Sequence, residues 1–498
     1  MSKYFISTAI PYVNSDPHIG FALELIQADV LARYQRLLEK EVFFVTGTDE
    51  NALKNVQSAE KAGIEVNKFV FQNAEKFRKL AEVLNISNNN FIRTTEERHI
   101  KGAQKFWKAC KPEDIYKKSY KGLYCVGCEE FKTHKDLIEG MCPEHRVKPE
   151  EVEEENYFFK LSKYEKELFR LIESDELKIT PSSRKNEILE FIRGGLEDFS
   201  ISRSRERAKN WGISVPEDDS QIMYVWFDAL TNYMNALGYA EDDVRFNEYW
   251  QNGRVTHLVG KGITRFHAIY WPAMLLSAEL ALPKEIFVHG YVTVDGDKIS
   301  KSIGNVVDPF NVVEKYGVDI VRYFLLREIP SGEDGDFSYK KLEDRYNGDL
   351  ANGLGNLVQR TVTLIDNNLD GELIYKPDLI ESEVKNKIDE LFKEYVGNLD
   401  NFLLHEALGR SWDLVGYANK YIDDEKPWVV AKGDAQDFLN IMNNTVFILY
   451  NIAWMLVPFI PETADKIFTT LGANRDVETL ENYKFKVQKT SGLFPRLK

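Results

Sequence analysis

The stretch from Tyr4 to Leu38, YFISTAIPYVNSDPHIGFALELIQADVLARYQRLL, limits the fold more than any other part of the chain. Tyr4 to Ser7 is a short apolar run that suits a strand. Ala9 to Pro17 carries two prolines with Asn14, Ser15 and Asp16, which is loop chemistry, and Asp16-Pro17 predicts a helix N-cap and first helical position. Leu23, Ile26, Val30, Tyr34 and Leu37 then recur three and four apart, the apolar face of a helix. Val42 to Val45 is a second apolar strand, closed by Gly47-Thr48-Asp49-Glu50-Asn51. A strand, a crossover helix and a strand make a parallel pair, and ligands of such sheets sit beyond the carboxyl ends of the strands. The loops holding His18 and Asp49 are therefore expected to face one cleft. His18-Ile19-Gly20 falls at the helix N-terminus, where free N–H groups and the dipole favour an anion. Taken alone, the triplet is better read as a turn glycine beside a surface histidine.

A chain of 498 residues with 43% hydrophobic content has material for two to four domains. No apolar run approaches the ~18–20 residues of a membrane span, and the first residues have neither signal-peptide nor transit-peptide character. The reading is a cytoplasmic protein with no membrane partner. A formal charge of −15 argues against a protein that coats nucleic acid, while leaving room for a local basic patch. Arg203, Arg205, Arg207 and Lys209 are expected to begin such a strip, running toward Arg360.

Cysteine spacing adds a metal. Cys125-x-x-Cys128 and Cys142-x-x-His145, separated by thirteen residues, offer three thiolates and an imidazole, a closed tetrahedral set for one structural zinc ion. Cys110 stands apart as a small core residue, and His134 is expected to face solvent.

Residues 51 to 110 read as helical, Glu150 to Glu155 as a solvated acidic connection, and His257 to Gly260 as a buried strand ending in glycine. Ile263 to Leu276 reads as a helix containing His267. Ile286 to Val294 reads as one strand leading through Asp295-Gly296 to Lys298-Ile299-Ser300-Lys301-Ser302. Two lysines and two serines on a glycine-flanked loop form a cationic clamp with hydroxyl donors, suited to a polyphosphate. Beyond Tyr346, Asn352–Ile365, Lys385–Phe402, Glu406–Ile422 and Asp437–Leu456 predict a helical bundle. Asn356 and Arg360 share a helical face there, and Trp428 follows Pro427 at a helix start. The expected class is α/β: a Rossmann-like parallel sheet in two halves, 1–114 and 223–347, a zinc-knuckle insertion over 115–222, and an all-α bundle over 348–498.

Pro17-His-Ile-Gly20 and Lys298-Ile-Ser-Lys-Ser302 resemble the two signature motifs of the class I aminoacyl-tRNA synthetases. Ala9-Ile-Pro-Tyr-Val-Asn14, Gly47-Thr-Asp-Glu50, Tyr224-Val-Trp-Phe-Asp-Ala229, Gly260-Lys-Gly-Ile-Thr-Arg-Phe-His267, His289-Gly-Tyr-Val-Thr-Val294 and Lys426-Pro-Trp428 are similar to the methionyl branch, in its order. The resemblance implies activation of L-methionine by ATP, with Mg²⁺, to methionyl adenylate, and transfer to the 3′-terminal adenosine of tRNA(Met), initiator included. It implies catalytic roles for His18, Lys298 and Lys301, and ATP contacts from His18, Gly20, Lys298, Ser300, Lys301 and Ser302. The methionine pocket it implies comprises Ile10, Tyr12, Asp49, Trp226, Ala229, Leu230, Tyr233, Ile263 and His267, with Asp49 on the ammonium group and Tyr12 and His267 near the sulfur. Asn356, Arg360 and Trp428 match residues that read the CAU anticodon.

Two departures stand out. Phe21 replaces the second histidine of the signature, removing or replacing one phosphate contact. The sequence stops soon after the bundle, whereas many relatives continue into a dimerising domain, so a monomer is expected. Synthetases for valine, isoleucine and leucine carry a large editing insertion where this chain has its cysteine segment. A small nucleotidyltransferase would leave the helical end unexplained. A silent tRNA-binding paralogue, with Phe21 as its lesion, is disfavoured by intact His18, Asp49, Lys298 and Lys301.

Overall fold

The computed structural model describes residues 2–125, 130–132, 137–143, 146–298, 306–473, 475, 480–489 and 492–495. The chain forms two units, Met1–His289 and Gly290–Lys498.

The first unit is built on a six-stranded, wholly parallel sheet. Its first strand, β1 (Lys3–Thr8), is buried along nearly its whole length, as a strand covered on both faces must be. Helix α1 (Ile19–Leu37) carries the chain across to β2 (Glu41–Thr48), which pairs with β1 so that Phe5 lies opposite Phe43. The region expected to be all helical contains α2 (Leu53–Ala62), α3 (Val66–Val83) and α4 (Glu97–Ala109), but also β3 (Asn90–Arg93). β3 extends the sheet beyond β2, and four residues are too few to show a strand's alternation.

The acidic run at 150–155 is no loose connection. β4 (Ile115–Cys125) pairs antiparallel with β6 (Glu150–Phe159) along its length, with β5 (Glu130–Lys132) on β4's other edge. Acids on β6 face a lysine-bearing partner, Glu153 opposite Lys121, so the charge run is one side of a ribbon. Downstream come α5 (Glu165–Glu173), β7 (Lys178–Thr180) and α6 (Ser182–Arg193). The strand β7 joins the edge of the main sheet, so the segment read as an insertion also completes the catalytic layer. Short strands β8 (Phe199–Ser200), β9 (Ser202–Ser204), β10 (Ser214–Val215) and β11 (Asp218–Met223) follow, and the Arg/Ser-rich stretch is thus partly sheet.

The short helices α7 (Val225–Leu230) and α8 (Asn232–Asn235) lead to β12 (Arg254–Gly260), which pairs with the free side of β1. After it, the helix expected over Ile263–Leu276 is a π-turn at Phe266–Tyr270 running into α9 (Trp271–Ser277). The strand β13 (Glu285–His289) closes the unit, giving the order β3-β2-β1-β12-β13-β7. The chain leaves β1 toward β2 and later returns on its other side, so the order reverses at β1, which is where such sheets bind ligands.

In the second unit, β14 (Val292–Val294) lies between β15 (Asp297–Lys298) and a strand formed later. The single strand expected over Ile286–Val294 is therefore broken. Gly290 marks the break, because a Cβ there would fall 2.1 Å from the Glu333 backbone. Then come α10 (Pro309–Tyr316), α11 (Val318–Glu328), β16 (Gly335–Phe337) and α12 (Tyr339–Arg345), with β16 flanking β14. A π-turn at Tyr346–Gly355 opens α13 (Asn356–Asn368), followed by β17 (Glu372–Ile374), α14 (Ser382–Asp400), α15 (Leu404–Glu425), α16 (Pro427–Val430), α17 (Ala435–Leu456), α18 (Pro461–Leu471) and β18 (Lys484–Lys486). The four helices expected of the bundle are its α13, α14, α15 and α17. Buried Arg322 on α11 ties down the turn before α18, donating to the carbonyls of Phe459 at 2.7 Å and Pro458 at 3.1 Å.

Among the described residues, no helix is long and apolar enough to cross a membrane. Phe21, on α1, is buried edge-to-face against Phe77 of α3, with centroids 5.2 Å apart. Its ring is a core residue, and Phe21→Ala is expected to cost about 3 kcal/mol in urea unfolding, as other buried Phe truncations do.

Candidate active site

The loops after β1 and β2 are joined to each other. The Asp49 N–H donates to the Pro11 carbonyl at 2.9 Å, and Tyr12 and Asp49 form a parallel bridge that prolongs the β1–β2 pairing. Asp49 is buried, and its Oδ1 accepts the Asn51 N–H at 3.1 Å. The next residue, Glu50, is pinned by a bidentate Arg93, at 2.7 and 2.9 Å, and by Thr95 Oγ1. A carboxylate held by an arginine fork and a hydroxyl is a rigid anchor, and it fixes the residue beside it. Trp211 Nε1 adds a bond to the Glu50 carbonyl at 2.8 Å.

At the head of α1 the N-cap is His18, not Asp16 as expected. The His18 backbone is extended, and its Nδ1 accepts the Gly20 N–H at 3.1 Å. The cap moves two residues on because the imidazole itself satisfies an orphan donor. With Nδ1 accepting, the ring's proton sits on Nε2. Gly20 makes this possible, since a Cβ there would meet His18 Nδ1 and Cε1 at 3.0 Å. One turn on, buried Glu24 accepts the Ala9 N–H at 2.7 Å and bonds His289 Nε2 at 2.8 Å. Sequence reading missed this pair, although an acid on a mostly apolar helix was a signal.

The pocket residues gather on elements beside these loops. Ile10 and Tyr12 are half-buried on the β1 loop. Trp226, Ala229 and Leu230 come from α7, and Tyr233 from α8. Ile263 and His267 come from the turns after β12. Trp226 stacks on Phe266 with centroids 3.9 Å apart and planes within 5°, and His267 meets the same indole edge-on. Phe266 is a further wall residue that the sequence reading passed over.

The polar groups of this wall are neutral. His267 Nδ1 lies 3.0 Å from the Ile263 carbonyl, which can only accept, so Nδ1 carries the proton and Nε2 is left with a lone pair. Tyr233 Oη, 2.7 Å from that Nε2, is then the donor. Burial pushes the His267 imidazole down to about 4, and the Tyr233 phenol well above its usual range. Beneath Tyr233, with ring centroids 4.3 Å apart, lies His257, bonded through Nδ1 to Ser7 Oγ at 2.7 Å and also kept neutral by burial. The site thus pairs an apolar, uncharged wall with a buried carboxylate at Asp49.

The remaining expected residues are placed as follows. Lys298 ends β15, its backbone opposite Thr293; Ser300, Lys301 and Ser302 lie outside the described residues. Cys125 ends β4 and Cys142 lies in the connection between β5 and β6, both buried and not disulfide-bonded. Cys128, His134 and His145 lie outside the described residues, and no cluster of three metal-binding side chains occurs among those described. Cys110 is a buried core residue, as expected.

On the bundle, exposed Asn356 and half-buried Arg360 lie on α13. The Arg360 guanidinium sits 5.4 Å over the ring of Trp428, itself 43% exposed, and bonds Asp423 at 2.6 Å. Of the expected basic strip, Arg203 is buried on Ser200 and Ser202, Arg205 bonds the Asp219 carbonyl and Ser214, Arg207 lies over Tyr124 and 3.5 Å from Glu150, and Lys209 pairs with Glu60. These cations all make contacts within their own unit.

Because the folded state holds His267 neutral, only the unfolded chain takes up its proton between the ordinary value of ~6.5 and about 4. This contribution is complete at pH 7 and drains away as pH falls through that window. The stability difference between wild type and His267→Gln is expected to shrink by on the order of 1–3 kcal/mol from pH 7 to pH 4.5, measured by urea unfolding.

Comparison with known proteins agrees with this architecture. A family model described as tRNA synthetases class I (M) matches residues 4–151 and 146–362, and one described as the anticodon-binding domain of tRNA ligase matches 381–491. Methionine–tRNA ligase of Brucella melitensis is 44% identical over 481 residues, covering 95% of this chain and 92% of that protein. The Thermotoga maritima methionine–tRNA ligase is 42% identical, covering 97% of this chain and 77% of that one. Among solved structures, Mycobacterium tuberculosis methionyl-tRNA synthetase in complex with methionyl-adenylate superposes with a TM-score of 0.93 at 38% identity, each chain fully covered. With the site geometry and these matches agreeing over nearly the whole sequence, the chain belongs to the methionyl-tRNA synthetases, within the class I tRNA synthetase family.

Proposed function

We propose that this protein activates L-methionine with ATP and transfers the methionyl group to the 3′-terminal adenosine of tRNA(Met), initiator tRNA included. The observation that carries this reading is the pocket wall in which Tyr233 donates to a neutral His267 beside stacked Trp226 and Phe266. An unbranched thioether is polarizable, weakly hydrogen-bonding and uncharged, and suits such a wall. Ile10, Tyr12, Ala229, Leu230 and Ile263 complete the pocket, and Asp49 pairs with the ammonium group.

In the first step a methionine carboxylate oxygen attacks the α-phosphorus of ATP and pyrophosphate departs. In the second a ribose hydroxyl of the terminal adenosine attacks the acyl carbon and AMP departs. No side chain forms a covalent bond, so the protein's part is positioning and charge stabilisation. His18 donates from Nε2 at the head of α1, where Gly20 lets a phosphate approach the backbone. Lys298 and Lys301 neutralise the leaving pyrophosphate, with Ser300 and Ser302 as hydroxyl donors. Mg²⁺ accompanies ATP and shares that neutralisation.

Cys125, Cys128, Cys142 and His145 hold one structural zinc ion. In support, Cys125 at the end of β4 and Cys142 in the connection between β5 and β6 are both buried thiols. Asn356, Arg360 and Trp428 read the anticodon, in support of which the exposed Trp428 ring offers a stacking face beside an arginine. The enzyme works as a cytoplasmic monomer.

Charging assays test the reading. Methionine is expected to be attached to a tRNA with a CAU anticodon, and Trp428→Ala to lower kcat/KM for that tRNA at least about tenfold while methionine-dependent pyrophosphate exchange is unchanged. Metal analysis is expected to find one zinc per chain, lost in Cys128→Ser. Charging that is indifferent to both the anticodon and Trp428 would contradict the assignment of the bundle.

A further inference from the structure

Behind Asp49 lies a second carboxylate that no ligand can reach. Asp228 of α7 and His99 of α4 are both wholly buried. Asp228 Oδ2 accepts from Asn51 Nδ2 at 3.1 Å. Its other oxygen, Oδ1, stands 3.6 Å from His99 Nε2, and neither of these two atoms has a hydrogen-bond partner among the described residues. Asn51 in turn sends its backbone N–H to Asp49 Oδ1, and its amide also reaches the Thr94 carbonyl at 3.2 Å.

The histidine is oriented from behind. Asn235 Nδ2 lies 3.3 Å from His99 Nδ1, so Nδ1 accepts and the ring proton sits on Nε2, facing the carboxylate. Asn235 is itself held by Thr231 Oγ1 at 2.9 Å. It fits against α4 only because residue 102 is glycine, since a Cβ there would fall 1.8 Å from Asn235 Oδ1. Side chains from α4 and from the loop after β2 thus meet at one buried acid on α7. Burial pushes the Asp228 carboxyl up, and the contact with His99 opposes it most. A charge in that position is costly unless its geometry is needed.

We propose that Asp228 and His99 are positioning residues for the amino-acid site, clamping Asn51 so that its N–H sets the orientation of the Asp49 carboxylate toward the substrate ammonium. This rests on the reading that Asp49 pairs with that ammonium. It adds a specificity for α-amino acids over the corresponding deaminated acids, built from residues that never touch the substrate. A mispositioned carboxylate binds the ammonium less well but leaves the thioether wall and the nucleotide groups intact.

The experiment compares L-methionine with 4-(methylthio)butanoate, the same molecule without its amino group, by calorimetric titration of the full-length protein. Asp228→Leu and Asn51→Ser are expected to weaken methionine about tenfold, to leave the deaminated acid within twofold, and to leave KM for ATP in pyrophosphate exchange unchanged. Asp228→Asn, which keeps an acceptor for Asn51, is expected to restore methionine to within about threefold of wild type. Asn51→Ser preserves the core should Asp228→Leu fail to fold. If the Asp228 and Asn51 variants weaken both ligands alike, or neither, while Asp49→Asn still discriminates, the inference is overturned alone. If Asp49→Asn weakens both alike, the ammonium site is wrong and the inference falls with it.

Discussion

The hydrogen bond from the Asp49 N–H to the Pro11 carbonyl is the constraint on which the site depends. It extends the pairing of the first two strands one step past the sheet, into the loops where ligands bind. Strand Lys3–Thr8 has partners on both sides, so its end is fixed by the whole parallel layer, and that stiffness passes to Tyr12 and Asp49. Loops carry function well when a rigid scaffold delivers them. Here the scaffold reaches into the loop through a backbone bond, and Glu50, forked by Arg93 and bonded by Trp211, holds Asp49 beside it.

Charge is sorted within this frame. The wall built from Trp226, Tyr233, Phe266 and His267 is kept uncharged by burial and by a proton arrangement in which Tyr233 donates to His267 Nε2 and His267 Nδ1 donates to the Ile263 carbonyl. The carboxylates lie on the strand-end loop, on α7 and on the first helix, each with its own donors. A thioether and an ammonium group ask for opposite surroundings, and in the proposed function the neutral wall and the Asp49 carboxylate, set on different elements, would supply them. The chemistry then requires only that phosphates and carboxylate be brought together in line, since no protein group has to react.

Much of the first unit was legible in the sequence, because a strand, a crossover helix and a second strand leave strong periodic traces. Residues that follow tertiary logic did not. The N-cap moved from Asp16 to His18 because a side chain, not a propensity, satisfied the helix end. Glu150 to Glu155 is solvated as expected but is a strand rather than a connection, which only its lysine-bearing partner strand reveals, and Lys178–Thr180 is too short to announce that it joins the main sheet. Arg205 and Arg207, read as part of a basic strip, make local contacts. Resemblance, rather than periodicity, named the residues of the proposed pocket. His99, Asn51 and Asp228 lie far apart in the chain, and nothing in their local patterns connects them.

The central claim is that this protein forms methionyl adenylate, and the proposal assigns His18 and Lys301 to that step. ATP–pyrophosphate exchange tests it most directly, run with methionine and separately with cysteine, leucine and isoleucine, on wild type, His18→Ala and Lys301→Ala. The account predicts exchange with methionine alone, reduced by at least about a hundredfold in each variant. A folded protein that exchanges with none of these amino acids, or one whose exchange survives the loss of both His18 and Lys301, would contradict it.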